Sequence, residues 1–185
     1  MATPPGKSRN IRPTADRARE ALFSIISHKL GQSRVLDLFA GTGALGLEAW
    51  SRGAEYVTFV DFHLQALELL RKNIEIIIPE EDLTCISIIR HDLRKGLPLP
   101  KLTKKNNHPF NLIFLDPPYS KGLSVNVLEW LAYNKAILAE DALVIAEERS
   151  SEKLPEQFGI LQLSDQRTYG DTGFWMYKSV STTIS

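Results

Sequence analysis

Arg34-Val35-Leu36-Asp37-Leu38-Phe39-Ala40-Gly41-Thr42-Gly43-Ala44-Leu45-Gly46 is the stretch on which the fold turns. Its first six residues form a mostly apolar run of strand length, and a helical pattern starts at Ala44. Three glycines occupy the junction. Glycines there let the backbone turn sharply, press against a ligand and bring a helix close to the strand it follows. Strand, glycine turn and helix in that order open a βαβ unit, whose ligands bind at the C-terminal edge of a parallel sheet. A tight strand–helix turn with no ligand is the plainer alternative.

The pattern continues outward from this stretch. Further strands are expected at 56–60, 84–89, 110–115 and 142–147. Helices are expected at 44–52, closed by Gly53, at 63–77 and at 123–132. In the second of these, Leu64, Leu67, Leu70 and Ile74 share one face. Upstream, Ala18, Leu22, Ile25 and Ile26 recur at helical spacing, with Thr14 as the expected N-cap, Asp16 in the first turn and Gly31 as the stop. Downstream, 158–163 and 174–178 both read as strands with no helix between them, so they form a hairpin. The expectation is an α/β, Rossmann-like fold with a seven-stranded, mostly parallel sheet, one antiparallel strand and helices on both faces. Residues 1–13 read as a basic N-terminal arm, 14–185 as a single domain, and 94–108 as a solvated loop.

Composition sets limits on function. The chain has 185 residues, 43% apolar and 24% charged, which is ordinary for a globular domain. Lys plus Arg equal Asp plus Glu at 22 each, so any contact with nucleic acid must come from local patches. The single cysteine, Cys85, has no partner for an internal disulfide and is expected to be a small buried residue in the third strand. No Cys/His spacing suggests a metal, and none is expected. The N-terminus lacks the apolar core of a signal peptide, and no run is long enough to cross a membrane. A cytoplasmic location is the default.

Two segments bear on the ligand. Gly41 to Gly46 satisfies G-x-G-x-x-G, and Asp61 stands 20 residues after Gly41, where an acid holds ribose hydroxyls. Those features alone fit a nicotinamide dinucleotide as well as another nucleoside cofactor. Asp37 tips the balance, because its carboxylate would repel a pyrophosphate but attract the ammonium of a methionine moiety. The second segment is Asp116-Pro117-Pro118-Tyr119, which follows the apolar run 110–115. Two prolines stop the strand and stiffen the path that aims Asp116 and Tyr119. Asp116 and a proline carbonyl can accept hydrogen bonds from the exocyclic amine of a base, with Tyr119 stacked on its face. Hydride transfer needs no such device, so S-adenosylmethionine is the favoured cofactor. The plainer reading is a Pro-Pro turn with a surface tyrosine. Asp92, after the third strand, reads equally as a contact to the adenine amine or as a turn cap.

Arg12-Pro13-Thr14-Ala15-Asp16-Arg17-Ala18-Arg19-Glu20, the glycine stretch from Asp37 to Ala49, Asp116-Pro117-Pro118-Tyr119 and Tyr169-Gly170-Asp171-Thr172 occur in this order over nearly the whole chain. Together they resemble the bacterial RsmD-type 16S ribosomal RNA methyltransferase family. The glycine stretch is generic to class I methyltransferases. Asp-Pro-Pro-Tyr narrows the reaction to planar amines, and the Arg-Pro-Thr stretch is family-specific. The resemblance implies a class I S-adenosylmethionine-dependent methyltransferase that modifies the N2 amine of guanine 966 in 16S ribosomal RNA, leaving S-adenosylhomocysteine. It implies Asp116, Pro117 and Tyr119 as catalytic residues. Cofactor contacts would come from Asp37, Phe39, Gly41, Thr42, Gly43, Asp61 and Asp92, and RNA contacts from Arg12, Arg17 and Arg19. Read without the resemblance, Arg17 and Arg19 are helix-surface ion pairs. The expected partner is 16S RNA, free or within a small-subunit assembly intermediate, with the enzyme as a monomer. Alternatives are an adenine-N6 amino-methyltransferase and, from another class, a nicotinamide-dependent oxidoreductase.

Overall fold

Five strands form the parallel part of the sheet: β1 (Arg34–Leu38), β2 (Tyr56–Asp61), β3 (Ile86–Arg90), β4 (Phe110–Leu115) and β5 (Leu138–Arg149). Three more follow, β6 (Gln157–Phe158), β7 (Leu161–Tyr169) and β8 (Thr172–Ser179). The computed structural model describes residues 13–105, 108–118 and 122–180. Its strand order is β3-β2-β1-β4-β5-β8-β7-β6, with β8 antiparallel to β5 and each remaining neighbour antiparallel in turn. The sheet therefore has eight strands, one more than expected. Gly159, at φ +50°, breaks the run at 158–163, splitting a two-residue edge strand from β7. The class of fold, and the antiparallel last strand, are as the sequence pattern indicates.

Near-continuous apolar strands need cover on both faces, and five α-helices among the described residues supply it. α1 (Pro13–Ile25), α2 (Ala44–Ser51) and α3 (Leu64–Ile77) pack on one side, where Phe23, Leu47 and Leu70 meet Val35, Phe59 and Phe114. Phe23 and Phe114 lie with ring centroids 5.7 Å apart. α4 (Leu99–Lys105) and α5 (Leu123–Tyr133) cover the other side, where Leu102, Val127 and Leu131 meet Ile113, Leu115, Val144 and Trp175. Alternate residues of each strand enter opposite clusters, as the two-residue period of a strand requires. Polar groups at the margins are tied in: Asn111 Oδ1 accepts from Arg34 N–H at 2.8 Å, and the Tyr177 hydroxyl donates to the Pro155 carbonyl at 2.8 Å.

Three local expectations change. The helix at the start begins at Pro13, so Thr14 lies inside its first turn rather than capping it. Cys85 ends a 3-10 turn, Glu80–Cys85, and is half-buried, because β3 starts only at Ile86. Residues 94–108 are not a plain loop. A 3-10 turn at Leu93–Lys95, which buries Leu93, overlaps their start, and helix α4 within them buries Leu102.

The strand order reverses between β1 and β4. β1 leads outward to β2 and β3, while β4 leads the other way to β5. Such a switch leaves a crevice outside the C-terminal ends of the two central strands, because their connections diverge to opposite sides.

Candidate active site

The loop after β1 is wound by three left-handed residues, Phe39 at φ +61°, Gly41 at +55° and Gly43 at +84°. Glycine takes that region freely, but for phenylalanine it costs on the order of 1–3 kcal/mol. Several hydrogen bonds hold the loop in place. Ala40 N–H donates to the Val60 carbonyl at 3.1 Å, Gly43 N–H to the Ala40 carbonyl at 2.7 Å and Gly41 N–H to Asp61 Oδ2 at 2.8 Å. On the other side of the switch, Asp116 N–H donates to the Leu38 carbonyl at 3.4 Å, which joins the end of β4 to the end of β1. Gly46 serves packing instead. A Cβ there would collide with the Phe59 ring and the Val57 side chain, so this glycine lets α2 lie close on β2.

A cleft of about 490 Å³ opens over these loop ends, within the usual size of a ligand site. Of the residues singled out in the sequence, Phe39, Gly41, Asp61, Asp92 and Asp116 line it. They arrive from the ends of β1, β2, β3 and β4, so the sheet edge gathers groups up to 77 residues apart in the chain. Asp37, Thr42, Gly43 and Pro117 stand outside that lining. Asp37 is 1% exposed and its Oδ2 accepts from Gly46 N–H at 2.9 Å. The Thr42 carbonyl accepts from Asn73 Nδ2 at 3.0 Å, and Gly43 and Pro117 are buried. Tyr119 and Arg12 lie outside the described residues. Arg17 is exposed on α1, and Arg19 pairs with Asp16 at 2.8 Å, an exposed helix-surface contact.

The cleft has further walls that sequence reasoning did not single out: Phe62, His63, Arg94, Pro118 and Leu123. Phe62 and His63 directly follow Asp61, and Arg94 follows Asp92 by two, so the residues after each edge acid were the available signal. The Phe62 and His63 rings lie 3.8 Å apart, and the Arg94 guanidinium sits over Phe62 at 4.9 Å. Asp92 caps the turn that follows it, accepting from Arg94 N–H at 3.1 Å. It also takes two side-chain hydrogen bonds from Arg94, each at 2.8 Å. Those bonds hold its carboxyl down to about 2, so it is a fixed anion. The capping geometry coexists with a place in the cleft wall.

Asp61 and Asp116, which line the cleft, differ in kind from each other and from the buried Asp37. Asp61 is nearly buried, with Oδ2 bonded to Gly41 N–H and Oδ1 to His63 N–H, both at 2.8 Å. Asp116 stands half-buried beside exposed Pro118. Asp37, beneath the loop, is pushed up to about 7, chiefly by burial; the nearby Asp61 charge adds to this, and the Gly46 N–H opposes it. Among the described residues, no three His, Cys, Asp or Glu cluster as a metal cage, and no helix is long and apolar enough to cross a membrane.

Comparison with known proteins agrees with this architecture. The family model described as Conserved hypothetical protein 95 matches residues 2–178. Ribosomal RNA small subunit methyltransferase D of Haemophilus influenzae is 33% identical over 175 residues, covering 93% of this chain and 85% of that protein. YlbH of Bacillus subtilis is 36% identical over 169 residues, covering 91% of this chain and 88% of its own. Among solved structures, yhhF of Escherichia coli superposes with a TM-score of 0.76 at 28% identity, covering 97% of this chain and 91% of that one. Fold, motif order and matches over nearly the full length lead to one assignment: the chain belongs to the Conserved hypothetical protein 95 family, the RsmD-type ribosomal RNA methyltransferases.

Proposed function

We propose that this chain transfers the methyl group of S-adenosylmethionine to the N2 amine of guanine 966 in 16S ribosomal RNA. The observation that carries the reading is the meeting of Gly41, Asp61 and Asp116 in one cleft at the β1/β4 switch. The donor set suits the cofactor. Asp61 is oriented by two backbone N–H groups and keeps lone pairs for ribose hydroxyls. Phe39 and Phe62 offer apolar walls to a flat ring, and Asp37 supplies an acid below the loop toward an ammonium. Thr42 and Gly43 shape the loop that receives it. Asp92 faces the same cleft as an acceptor for an adenine amine.

When bound, the sulfonium of S-adenosylmethionine supplies an electrophilic methyl group. The protein's task is then to present the amine nitrogen with its lone pair available. In guanine that lone pair is delocalised into the ring. Hydrogen bonds from the NH₂ to the Asp116 carboxylate and the Pro117 carbonyl favour a more pyramidal nitrogen, while Tyr119 holds the base plane. Positive charge grows on the nitrogen during transfer, and the Asp116 carboxylate stabilises it and accepts the departing proton at an Oδ atom. The Pro117-Pro118 elbow limits how far Asp116 can swing. The guanine must leave its stack to reach this site. The arm 1–13 and the start of α1, with Arg12, Arg17 and Arg19, hold phosphates and set the RNA's register. Residues 14–185 act as one domain, a cytoplasmic monomer, on free 16S RNA or a small-subunit assembly intermediate.

The test is nucleoside mass spectrometry of 16S RNA incubated with enzyme and isotope-labelled S-adenosylmethionine. The expected product is N2-methylguanosine at one position. Label on adenine N6 would replace guanine as the substrate. Thermal stabilisation by NADH and none by S-adenosylhomocysteine would replace the reaction class.

A further inference from the structure

The end of β3 and the turn after it, Leu93–Lys95, form a basic shoulder beside the cleft, which methyl transfer itself leaves unused. Residues 90–95 carry Arg90, Arg94 and Lys95 against a single acid, Asp92. That is three of the chain's 22 basic residues in six positions, in a protein with no net charge to spread elsewhere. We propose that this shoulder binds the phosphate backbone of the substrate RNA, as a second anchor beside the reacting cleft. The inference rests on the RNA methyltransferase reading above.

Three observations raise it above an ordinary solvated charge run. First, the surface is grooved. A depression of about 480 Å³ is lined by Arg90, His91, Arg94 and Lys95, and it shares Phe62, Asp92 and Arg94 with the cofactor cleft. Second, its cations are pre-positioned. Arg94 spends two of its five N–H donors on Asp92 and lies over the Phe62 ring, leaving three donors for a ligand. Arg90 Nε donates to the Phe62 carbonyl at 3.4 Å, and His91 Nε2 donates to the Gly96 carbonyl at 3.0 Å, which pins the turn between them. A guanidinium held in advance loses less rotamer freedom on meeting a phosphate. Exposed Arg90 and Lys95 line the groove and add charge that nothing in the cofactor site needs.

The third observation is placement. β3 is the outer strand of the parallel sheet, and β4, which carries Asp116, lies three strand spacings away. At ~4.8 Å per spacing that is ~14 Å. Stacked nucleotides advance ~3.4 Å each, so about four of them span the distance. Arg17 and Arg19 rise from α1, which packs against β7 and β8 on the far side of Asp116. A strand whose guanine enters the cleft is thus flanked by basic groups on both sides. Phosphate contacts of this kind position a substrate without reading its sequence.

The test uses the full chain and a fluorescent 16S RNA fragment that contains the target guanine. Anisotropy gives the dissociation constant from about 50 to about 300 mM KCl for wild type, R90Q/K95Q and the charge-keeping pair R90K/K95R. Each lost phosphate contact lowers the slope of log affinity against log salt by about 0.7–0.9. The Gln pair should therefore lose about 1.5 from the slope and bind about tenfold more weakly at the low-salt end. The charge-keeping pair should keep the wild-type slope. Affinity for S-adenosylhomocysteine should stay the same in all three, and KM for RNA should rise in the Gln pair while kcat holds. Identical slopes for wild type and the Gln pair would overturn the proposal, leaving the shoulder to solvent or an acidic protein surface. If wild type neither binds nor methylates the RNA, the functional reading itself falls. Methylation with unchanged slopes removes only the shoulder.

Discussion

Replacing Asp37 with Asn should flatten the way this protein's stability depends on pH. Asp37 is 1% exposed at the end of β1, with one visible donor, the Gly46 N–H at 2.9 Å. Burial and the neighbouring Asp61 charge push its carboxyl from 3.8 up to about 7. The sign follows from proton counts. Between those two values the folded protein keeps a proton that the unfolded chain has released, so raising the pH favours unfolding. The stabilisation is complete below about 4 and gone above about 7. Roughly three pH units at ~1.4 kcal/mol each give an upper limit of about 4 kcal/mol. Asn keeps an acceptor for Gly46 N–H and carries no charge, so D37N lacks this slope. Urea unfolding at half-unit pH steps should show wild type losing stability relative to D37N by up to about 4 kcal/mol from pH ~4 to ~7, with a plateau above. A difference constant across that range would refute the reasoning. The same shift makes a ligand prediction. An ammonium brought near Asp37 favours its ionised form, so binding S-adenosylhomocysteine near pH ~6.5 should release a proton. Calorimetry in buffers of unlike ionisation enthalpy would read that proton directly, and D37N should not release it.

Three other substitutions probe separate parts of the argument. Asp116→Ala should cost about 3 kcal/mol in transition-state stabilisation, roughly a hundredfold in turnover, while S-adenosylhomocysteine affinity holds; normal turnover would remove Asp116 from the chemistry. Gly46→Ala forces a methyl into the Phe59 ring and Val57, so a loss of about 1–3 kcal/mol in urea unfolding is expected, and an unchanged midpoint would contradict the packing role of this glycine. Ser124→Ala removes the hydrogen bond that the Ser124 hydroxyl donates to Glu148 Oε1 at 2.7 Å, on a carboxyl that is 4% exposed. Glu148 Oε2 has no partner among the described residues, and burial already raises its pKa, so the loss of about 1–3 kcal/mol should be larger at pH ~8 than at pH ~4. An equal loss at both would place the ionised carboxylate elsewhere.

Local periodicity exposed most of this fold, and its failures have physical causes. β1, the glycine loop and α2 were readable because strand run, turn residues and helical spacing agree over thirteen positions. The β7–β8 hairpin was readable for a similar reason, with Tyr169-Gly170-Asp171-Thr172 between two apolar runs. α4 was hidden because Pro98, Pro100 and three lysines surround the two residues, Leu99 and Leu102, that meet the second core. Only the tertiary pocket under β4 makes that segment helical, which a propensity argument cannot see. Cys85 looked like strand because its neighbours are apolar, yet pairing of β3 with β2 starts at Ile86. For the cleft, the edge acids stood out, but Phe62, His63 and Arg94 have no chemistry of their own in sequence. They matter because Asp61 and Asp92 end adjacent strands, and that adjacency is a property of the sheet. The depth of Asp37 was likewise invisible, since a carboxylate in a strand can face either cover or crevice.

The two acids flanking the glycine loop have a shared consequence for how mutants must be read. Asp37, on β1, and Asp61, on β2, each accept an N–H from the loop, Gly46 at 2.9 Å and Gly41 at 2.8 Å. The loop contains a strained Phe39, so its shape depends on being over-determined by such bonds. Loss of activity in Asp61→Ala would therefore not by itself identify a ribose contact, because Ala also strands the N–H groups of Gly41 and His63. Each stranded group costs about 1–3 kcal/mol, enough to let the loop relax with no ligand involved. Asp61→Asn separates the two roles. Its carbonyl can keep one backbone N–H while the charge and the second acceptor are lost. Amide exchange at Gly41 should speed up strongly in Asp61→Ala and little in Asp61→Asn. Affinity for S-adenosylhomocysteine should fall in both. Affinity that falls only where Gly41 exchange rises would assign Asp61 to the loop alone.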